Sequence, residues 1–188
     1  MAGLDEVGRG PLAGPVVAAA VVFRPDSQVP EGLRDSKRMT ARQRDRLAGV
    51  IRKTALAWGV GAASPKEIDR LNILRATALA MRRALALLSP KPDHLLVDGN
   101  PLPELQRQHE AVVKGDATCA SIAAASVLAK DTRDRLMALL GADFPTFQWE
   151  RNMGYGTAAH LLAIDEHGLT PHHRRTFTPV SQLKLPLG

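Results

Sequence analysis

GLDEVGRGPLAGPVVAAAVVF, Gly3–Phe23, is the stretch on which the reading of this chain turns. Residues 2–6 form a short apolar run with the pattern of a strand. Val16 to Phe23 is continuous, apolar and largely β-branched, as a buried strand requires. Two adjacent acids, Asp5 and Glu6, close the first, and the run Gly8-Arg9-Gly10 follows. Successive strand residues point to opposite faces. Both acids can therefore serve one site only where the strand ends or twists, which Gly8 permits.

Outward from this opening, Thr40-Ala-Arg-Gln43 has the form of a capping box, with Leu47, Val50 and Ile51 on one face of the helix that follows. Residues 55–63 read as a strand weakened by glycines. Ser64-Pro65-Lys66-Glu67 is a helix start, and Leu71, Leu74, Ala78, Met81, Leu85 and Leu88 continue as one apolar stripe. The spacing predicts one helix that ends before Pro90. Residues 94–99 and 110–115 read as short strands. Residues 116–140 read as a helix whose small residues, Ala120 to Ser126, allow close approach to a sheet. Thr157 to His167 is a last short helix closed by Gly168. Strands first, then strands alternating with helices, indicate an α/β layer around a mixed sheet.

With 188 residues, 45% of them apolar, the chain is expected to form one domain, 1–188, with a real core. No run reaches the roughly 18 apolar residues of a membrane span, and the start has no secretory pattern. The single cysteine, Cys119, cannot pair internally and fits a reducing cytosol. Twenty-five Lys and Arg against nineteen Asp and Glu give +6. Spread along the chain, this surplus favours a basic face for a polyanion such as nucleic acid over a disordered arm.

Asp5, Glu6, Asp98 and Asp116 each fall at or just beyond the carboxyl end of an apolar strand, the edge where ligand sites form in α/β sheets. Taken singly, Asp98-Gly99 is an ordinary turn and Asp116 an ordinary helix cap. Taken together, four converging carboxylates must be neutralised by protons or a cation. With no His or Cys cluster beside them, hard-oxygen chemistry favours Mg2+ or Mn2+ over zinc. No Ser/His/Asp set, P-loop or zinc motif competes.

The segments GLDEVGRGPLAGPVVAAAVVF, DSKRM, LLVDGN, KGDATCASIAAASVLAKDTRD, GYGT and HRRTF, in this order from Ala2 to Val180, resemble the type 2 ribonucleases H, the ribonuclease HII family. The resemblance implies a ribonuclease H-like fold: a mixed five-stranded sheet flanked by helices, with a small C-terminal helical segment, about 141–188, that contacts substrate. It implies metal-dependent cleavage of RNA joined to DNA, including a single ribonucleotide in a DNA duplex. The cut falls on the 5′ side and leaves 3′-hydroxyl and 5′-phosphate ends, a role suited to DNA replication and repair.

Carried over residue by residue, Asp5, Glu6, Asp98 and Asp116 become ligands of two divalent ions. Gly8, Arg9 and Gly10 become the loop that reads the ribonucleotide, and Tyr155 packs at the ribonucleotide–deoxyribonucleotide junction. Lys37, Arg174 and Arg175 become further substrate contacts. A monomer in the cytoplasm is expected. Asn152-Met153 before GYGT, Met39 and Thr176 depart from the usual pattern, the first pair at a place where phosphate contact would differ. Arg9 and the short start point away from the sister type 3 enzymes. The alternatives are a non-catalytic nucleic-acid-binding domain, which leaves the acids idle, and another two-metal nuclease such as a resolvase or integrase core.

Overall fold

The structure is a computed structural model that describes residues 1–25, 28–33 and 39–182; Lys37, with the DSK motif, lies outside them. The two opening strands, β1 (Ala2–Val7) and β2 (Val16–Val22), pair antiparallel, with Gly3 opposite Val21 and Val7 opposite Val17. β3 (Ala57–Ala63) pairs antiparallel with the far side of β2. On the other side of β1, β4 (Leu95–Asp98) and β5 (Glu110–Val112) are added in parallel. The order β3-β2-β1-β4-β5 is a mixed five-stranded sheet with β1 at its centre.

Alternation along β2 divides the core in two. Val16, Ala18, Ala20 and Val22 join Ala2 and Leu4 of β1 and pack against Met81, Ala84 and Leu85 of α3 (Ile73–Ala86). Val17, Ala19 and Val21 face the other way. They meet Leu47, Ala48 and Ile51 of α1 (Ala41–Thr54) and the buried alanines of α5 (Ala120–Asp143). Both faces of β2 are thus dry, which is why its sequence is an unbroken apolar run.

Both capping boxes form, Thr40 with Gln43 and Ser64 with Glu67. Three expectations are corrected. The helix predicted from Pro65 to Pro90 is two helices, α2 (Pro65–Leu71) and α3, divided at Asn72. Asn72 takes a positive φ of 69° with extended ψ, and its side chain accepts from the Arg75 N–H to cap α3. An apolar period cannot see such a break, because Ile68 before it and Ala76 to Leu88 after it pack into one core. The helix predicted over 116–140 is likewise α4 (Gly115–Thr118) and α5, with extended backbone at Cys119 between them. On α1, Val50 is exposed and Ala48 takes its place in the core.

Beyond α5, residues 141–182 build a third cluster in which Phe147, Trp149, Ala163, Ile164 and Val180 pack on Leu12, Ala13 and Met137. It contains α6 (Trp149–Asn152), absent from the sequence reading, and α7 (Ala158–His167), capped by Thr157.

The glycines of β3 are packing positions. A Cβ at Gly61 would sit 2.2 Å from the Ala80 carbonyl oxygen, because the backbone of α3 lies directly on the strand. Gly61→Val should therefore destabilise the protein by about 3 kcal/mol or more through overpacking. Gly49, with open space around its Cβ position on α1, is the control, since Gly49→Ala should stabilise by roughly 0.5–1 kcal/mol. Urea unfolding of both variants checks the pair.

Candidate active site

Asp5, Glu6, Asp98 and Asp116 line a single cleft of about 390 Å³ at the carboxyl ends of β1 and β4. The strand geometry explains how adjacent residues share it. β4 pairs with β1 only as far as Leu4 opposite Val97. Beyond that point the β4 side of β1 is uncovered, so Asp5 and Glu6 both reach the opening from the strand's end.

Asp98 closes β4 and turns at Gly99, as its dipeptide suggests. Its Oδ1 accepts from the Gly115 N–H at 2.7 Å and so ties β4 to the start of α4. Asp116 sits buried in the first turn of α4; the cap position is Lys114, so Asp116 is not a simple N-cap.

The electrostatics are those of a crowded anionic site. Burial, reinforced by Glu6 and Asp98, pushes the Asp5 carboxyl up to about 7, against the opposing hydrogen bonds from Ser126 and the Glu6 N–H. Burial also raises Glu6, against the pull of Arg9, whose guanidinium lies 3.1 Å from Glu6 Oε1. Two more cations, Arg44 and Lys130, line the cleft. Both are held by Asp134, at 2.9 and 2.6 Å.

The donor set is all oxygen, with no His or Cys in the lining, and two of its carboxyls are held towards protonation chiefly by burial. Such a set fits a hard divalent cation. Among the described residues no three His, Cys, Asp or Glu side chains form a ready cage for one ion. Water and substrate oxygens would have to complete any coordination shell, as is usual for magnesium.

Beside the cleft lies the glycine loop. Gly8 has φ +88°, and a Cβ there would fall 2.1 Å from Nε of Arg133, so the fold itself demands glycine. Gly10 is different. Its backbone is not in the left-handed region, and a Cβ would meet only Tyr155 Cε1, at an ordinary 3.7 Å. Nothing inside the protein requires glycine at this position. Tyr155 is half-exposed with its ring beside Gly10, and Arg9 is exposed.

Arg174 is a correction. The sequence reading makes it a substrate contact, but it is fully buried. Its guanidinium donates to the carbonyls of Gly8, Arg9 and Gly14. Arg133 of α5 does the same for Pro15, Ala13 and Met153. Burial lowers both guanidinium pKa values, that of Arg174 to about 9. Arg175 is exposed, and its backbone N–H donates to Asp69.

Asn152, where the sequence departs from the usual pattern, is spent within the loop. It donates to the Phe147 carbonyl and accepts from the Gly154 N–H. Arg44, Ser126, Lys130, Arg133 and Asp134 were not singled out from sequence. Ser126, Lys130 and Asp134 carry a signal, the four-residue spacing that puts them on one face of α5. Arg44 carries none.

The comparisons agree with this geometry. The sequence profile of the family "Ribonuclease HII" matches residues 2–180. Ribonuclease HII of Dechloromonas aromatica (strain RCB) is 56% identical over 180 residues, 96% of this chain and 91% of that protein. The crystal structure of ribonuclease H2 from Pyrococcus horikoshii OT3 superimposes with TM-score 0.83 at 28% identity, covering 96% of this chain and 95% of that one. Ribonuclease HII of Archaeoglobus fulgidus, solved as a complex with PCNA, gives 0.78 at 25% identity, with 94% of each chain covered. The sheet is thus that of the ribonuclease H-like fold, and this chain belongs to the ribonuclease HII family of endoribonuclease hydrolases that act on RNA–DNA substrates.

Proposed function

We propose that this chain removes ribonucleotides from DNA by cutting RNA in RNA–DNA hybrids and at single ribonucleotides in duplex DNA. The cut lies on the 5′ side and leaves 3′-hydroxyl and 5′-phosphate ends. The observation that carries the reading is the convergence of four carboxylates on one cleft beside a loop whose Gly10 the fold does not need.

The family is divalent-metal dependent, and Asp5, Glu6, Asp98 and Asp116 are the residues that would hold Mg2+ or Mn2+, two ions per site. The chemistry supplied by bound divalent ions is electrostatic: acidification of an attacking water and stabilisation of charge on the leaving 3′-oxygen. The chain's own residues do the rest. The carboxylates keep the cleft anionic and oxygen-lined, while Arg9, Arg44 and Lys130 place positive charge at its mouth for flanking phosphates. The backbone at Gly10 approaches the ribose, whose 2′-hydroxyl both donates and accepts. Tyr155 offers a flat face at the junction. Residues from about 141 onward complete the substrate side of a single domain.

We place this activity in DNA replication and repair, in the cytoplasm, with the protein as a monomer. No helix among the described residues is long and apolar enough to cross a membrane. The test is cleavage of a labelled duplex carrying one ribonucleotide, with and without magnesium, with both ends of the products identified. Products with a 5′-hydroxyl, or equal cleavage of all-DNA duplex, would overturn the reading.

Three further outcomes follow from the geometry. Asp5→Asn and Asp98→Asn should abolish cleavage. The folded Asp5 pKa of about 7 lies above its ordinary 3.8, so its stabilising contribution is complete below about pH 4 and is lost as pH rises through 7. Asp5→Asn should therefore melt several degrees above the parent at pH 8 in EDTA. Magnesium should raise the parent's melting temperature more than the variant's. Calorimetry at the two metal conditions checks both signs.

Gly10→Ala should fold as stably as the parent yet cut the single-ribonucleotide duplex at least tenfold more slowly. Tyr155→Ala should be comparably slow, with Tyr155→Phe milder. Single-turnover rates beside melting curves test this.

Arg9→Ala should flatten the slope of log affinity against log salt by about 1. Arg174→Ala should instead lower the melting temperature. Binding measured from 50 to 300 mM salt (roughly the range over which counterion release is read) distinguishes the two arginines.

A further inference from the structure

We propose that His160 is a positioning residue for ribonucleotide recognition, holding the Tyr155 backbone at the end of a directed hydrogen-bond chain that runs through Trp149 and His173. The proposal rests on the reading of Tyr155 as a substrate contact.

Trp149, His160 and His173 are all buried, in the C-terminal cluster behind the GYGT loop. His160 Nδ1 lies 2.8 Å from the Tyr155 carbonyl oxygen. His160 Nε2 lies 3.0 Å from Trp149 Nε1 and 3.1 Å from His173 Nε2. His173 Nδ1 lies 3.0 Å from the Thr170 N–H nitrogen.

The roles of the two fixed donors and the one fixed acceptor settle every proton. A backbone N–H can only donate, so His173 Nδ1 is unprotonated and its proton sits on Nε2. An indole N–H can only donate, so His160 Nε2 is the acceptor, its single lone pair shared between the Trp149 and His173 N–H groups. A carbonyl can only accept, so His160 Nδ1 carries the proton and gives it to Tyr155. This arrangement satisfies the set with both rings neutral; the Thr170 hydroxyl, also 3.0 Å from His173 Nδ1, accepts from the His172 N–H. Burial, which lowers the pKa of both histidines, that of His173 to about 4, supports this neutrality.

This chain points at the residue the proposed function needs to place. The Tyr155 side chain leaves the loop towards Gly10 and is half-exposed, so its packing covers only part of the ring. Its direction is set by its backbone. There the Tyr155 carbonyl has two donors, the Thr157 N–H at 2.8 Å and His160. The preceding Gly154 carbonyl accepts from the Leu12 and Ala13 N–H groups of the glycine loop. His160 thus anchors one side of a loop whose other side is bonded to the segment that reads the ribose.

Two substitutions separate positioning from mere stability. His160→Gln places an amide oxygen near the Nε2 position, where it still accepts from Trp149 and His173, but it deprives Tyr155 of its donor. His160→Asn places an amide nitrogen near the Nδ1 position, which keeps that donor and orphans the two buried N–H groups. The expected result is a crossed pattern. His160→Gln melts near the parent, while its rate on the single-ribonucleotide duplex, relative to a continuous RNA–DNA hybrid, falls tenfold or more, and the loss appears in kcat. His160→Asn melts well below the parent but, assayed below its transition, keeps the parent's ratio.

Nitrogen-15 NMR of the parent should show His160 protonated on Nδ1 and His173 on Nε2. The opposite tautomers would overturn the proposal, as would variants whose rate ratios simply follow their melting temperatures. Tyr155→Ala is the reference. If it leaves the ratio unchanged, the Tyr155 reading fails and this inference falls with it. If Tyr155→Ala shifts the ratio and His160→Gln does not, only the positioning role fails.

Discussion

Two buried guanidiniums hold this molecule's functional half together. Arg133 comes from α5 and Arg174 from the C-terminal segment. Between them they donate to carbonyls of Gly8, Arg9, Ala13, Gly14, Pro15 and Met153. None of these partners is a carboxylate. Burying a cation costs on the order of several kcal/mol after relaxation; here backbone carbonyls offset it at hydrogen-bond range, helped from further off by Asp134 for Arg133 and Asp69 for Arg174. What the arrangement secures is geometry. The loop after β1, the GYGT loop and the C-terminal segment are locked to α5, which itself packs on the central strands. The same pair also places two positive charges under the glycine loop, residues 8–15, which carries no acid of its own.

The cleft beside that loop shows the opposite imbalance. Four carboxylates share it, and Asp5 and Glu6 are held towards their protonated forms by burial and mutual repulsion. Cations are close, but Arg44 and Lys130 are shared with Asp134. An excess of negative charge in the cleft and of positive charge in the braced loop is a poor design for stability alone. It is a sound one for a site completed by cations on one side and a nucleic-acid backbone on the other. A ligand that binds only the folded protein stabilises it by mass action, so a site strained in this way gains from whatever completes it.

Local chemistry made much of the fold legible. Ser64-Pro65 and Glu67, Thr40 and Gln43, and Thr157 announce helix starts because capping is an interaction within four residues. The unbroken apolar run of β2 announces burial on both faces. Legibility failed where a conformational choice left no mark on the hydrophobic period. Asn72 divides α2 from α3 without disturbing the stripe, and Cys119 divides α4 from α5. It failed again for Gly61, which reads as a weakness in β3 until the carbonyl of Ala80 is seen lying against it. In the site, the four acids were legible because strand ends can be read from apolar runs. Arg44 and Arg133 were not, because nothing in their neighbourhoods separates them from the many other arginines of a basic chain.

By itself, then, the sequence determined the capped helix starts, the buried run of β2 and the four carboxylates at or beyond strand ends, since each follows from contacts or periods within a few residues. Tertiary structure alone decided what the charged residues do. It joined Asp5 and Glu6 in one cleft because β4 stops pairing at Leu4, a fact about register between segments some ninety residues apart. It turned Arg174 inward and left Arg175 in solvent, although the two are neighbours of the same type. The order of protons in the His160–His173 pair likewise depends on Trp149 and Thr170 being brought to them by the fold. A side chain's charge is written in the sequence, but its partner is chosen by packing, because desolvation and hydrogen-bond geometry are properties of where the chain has put it.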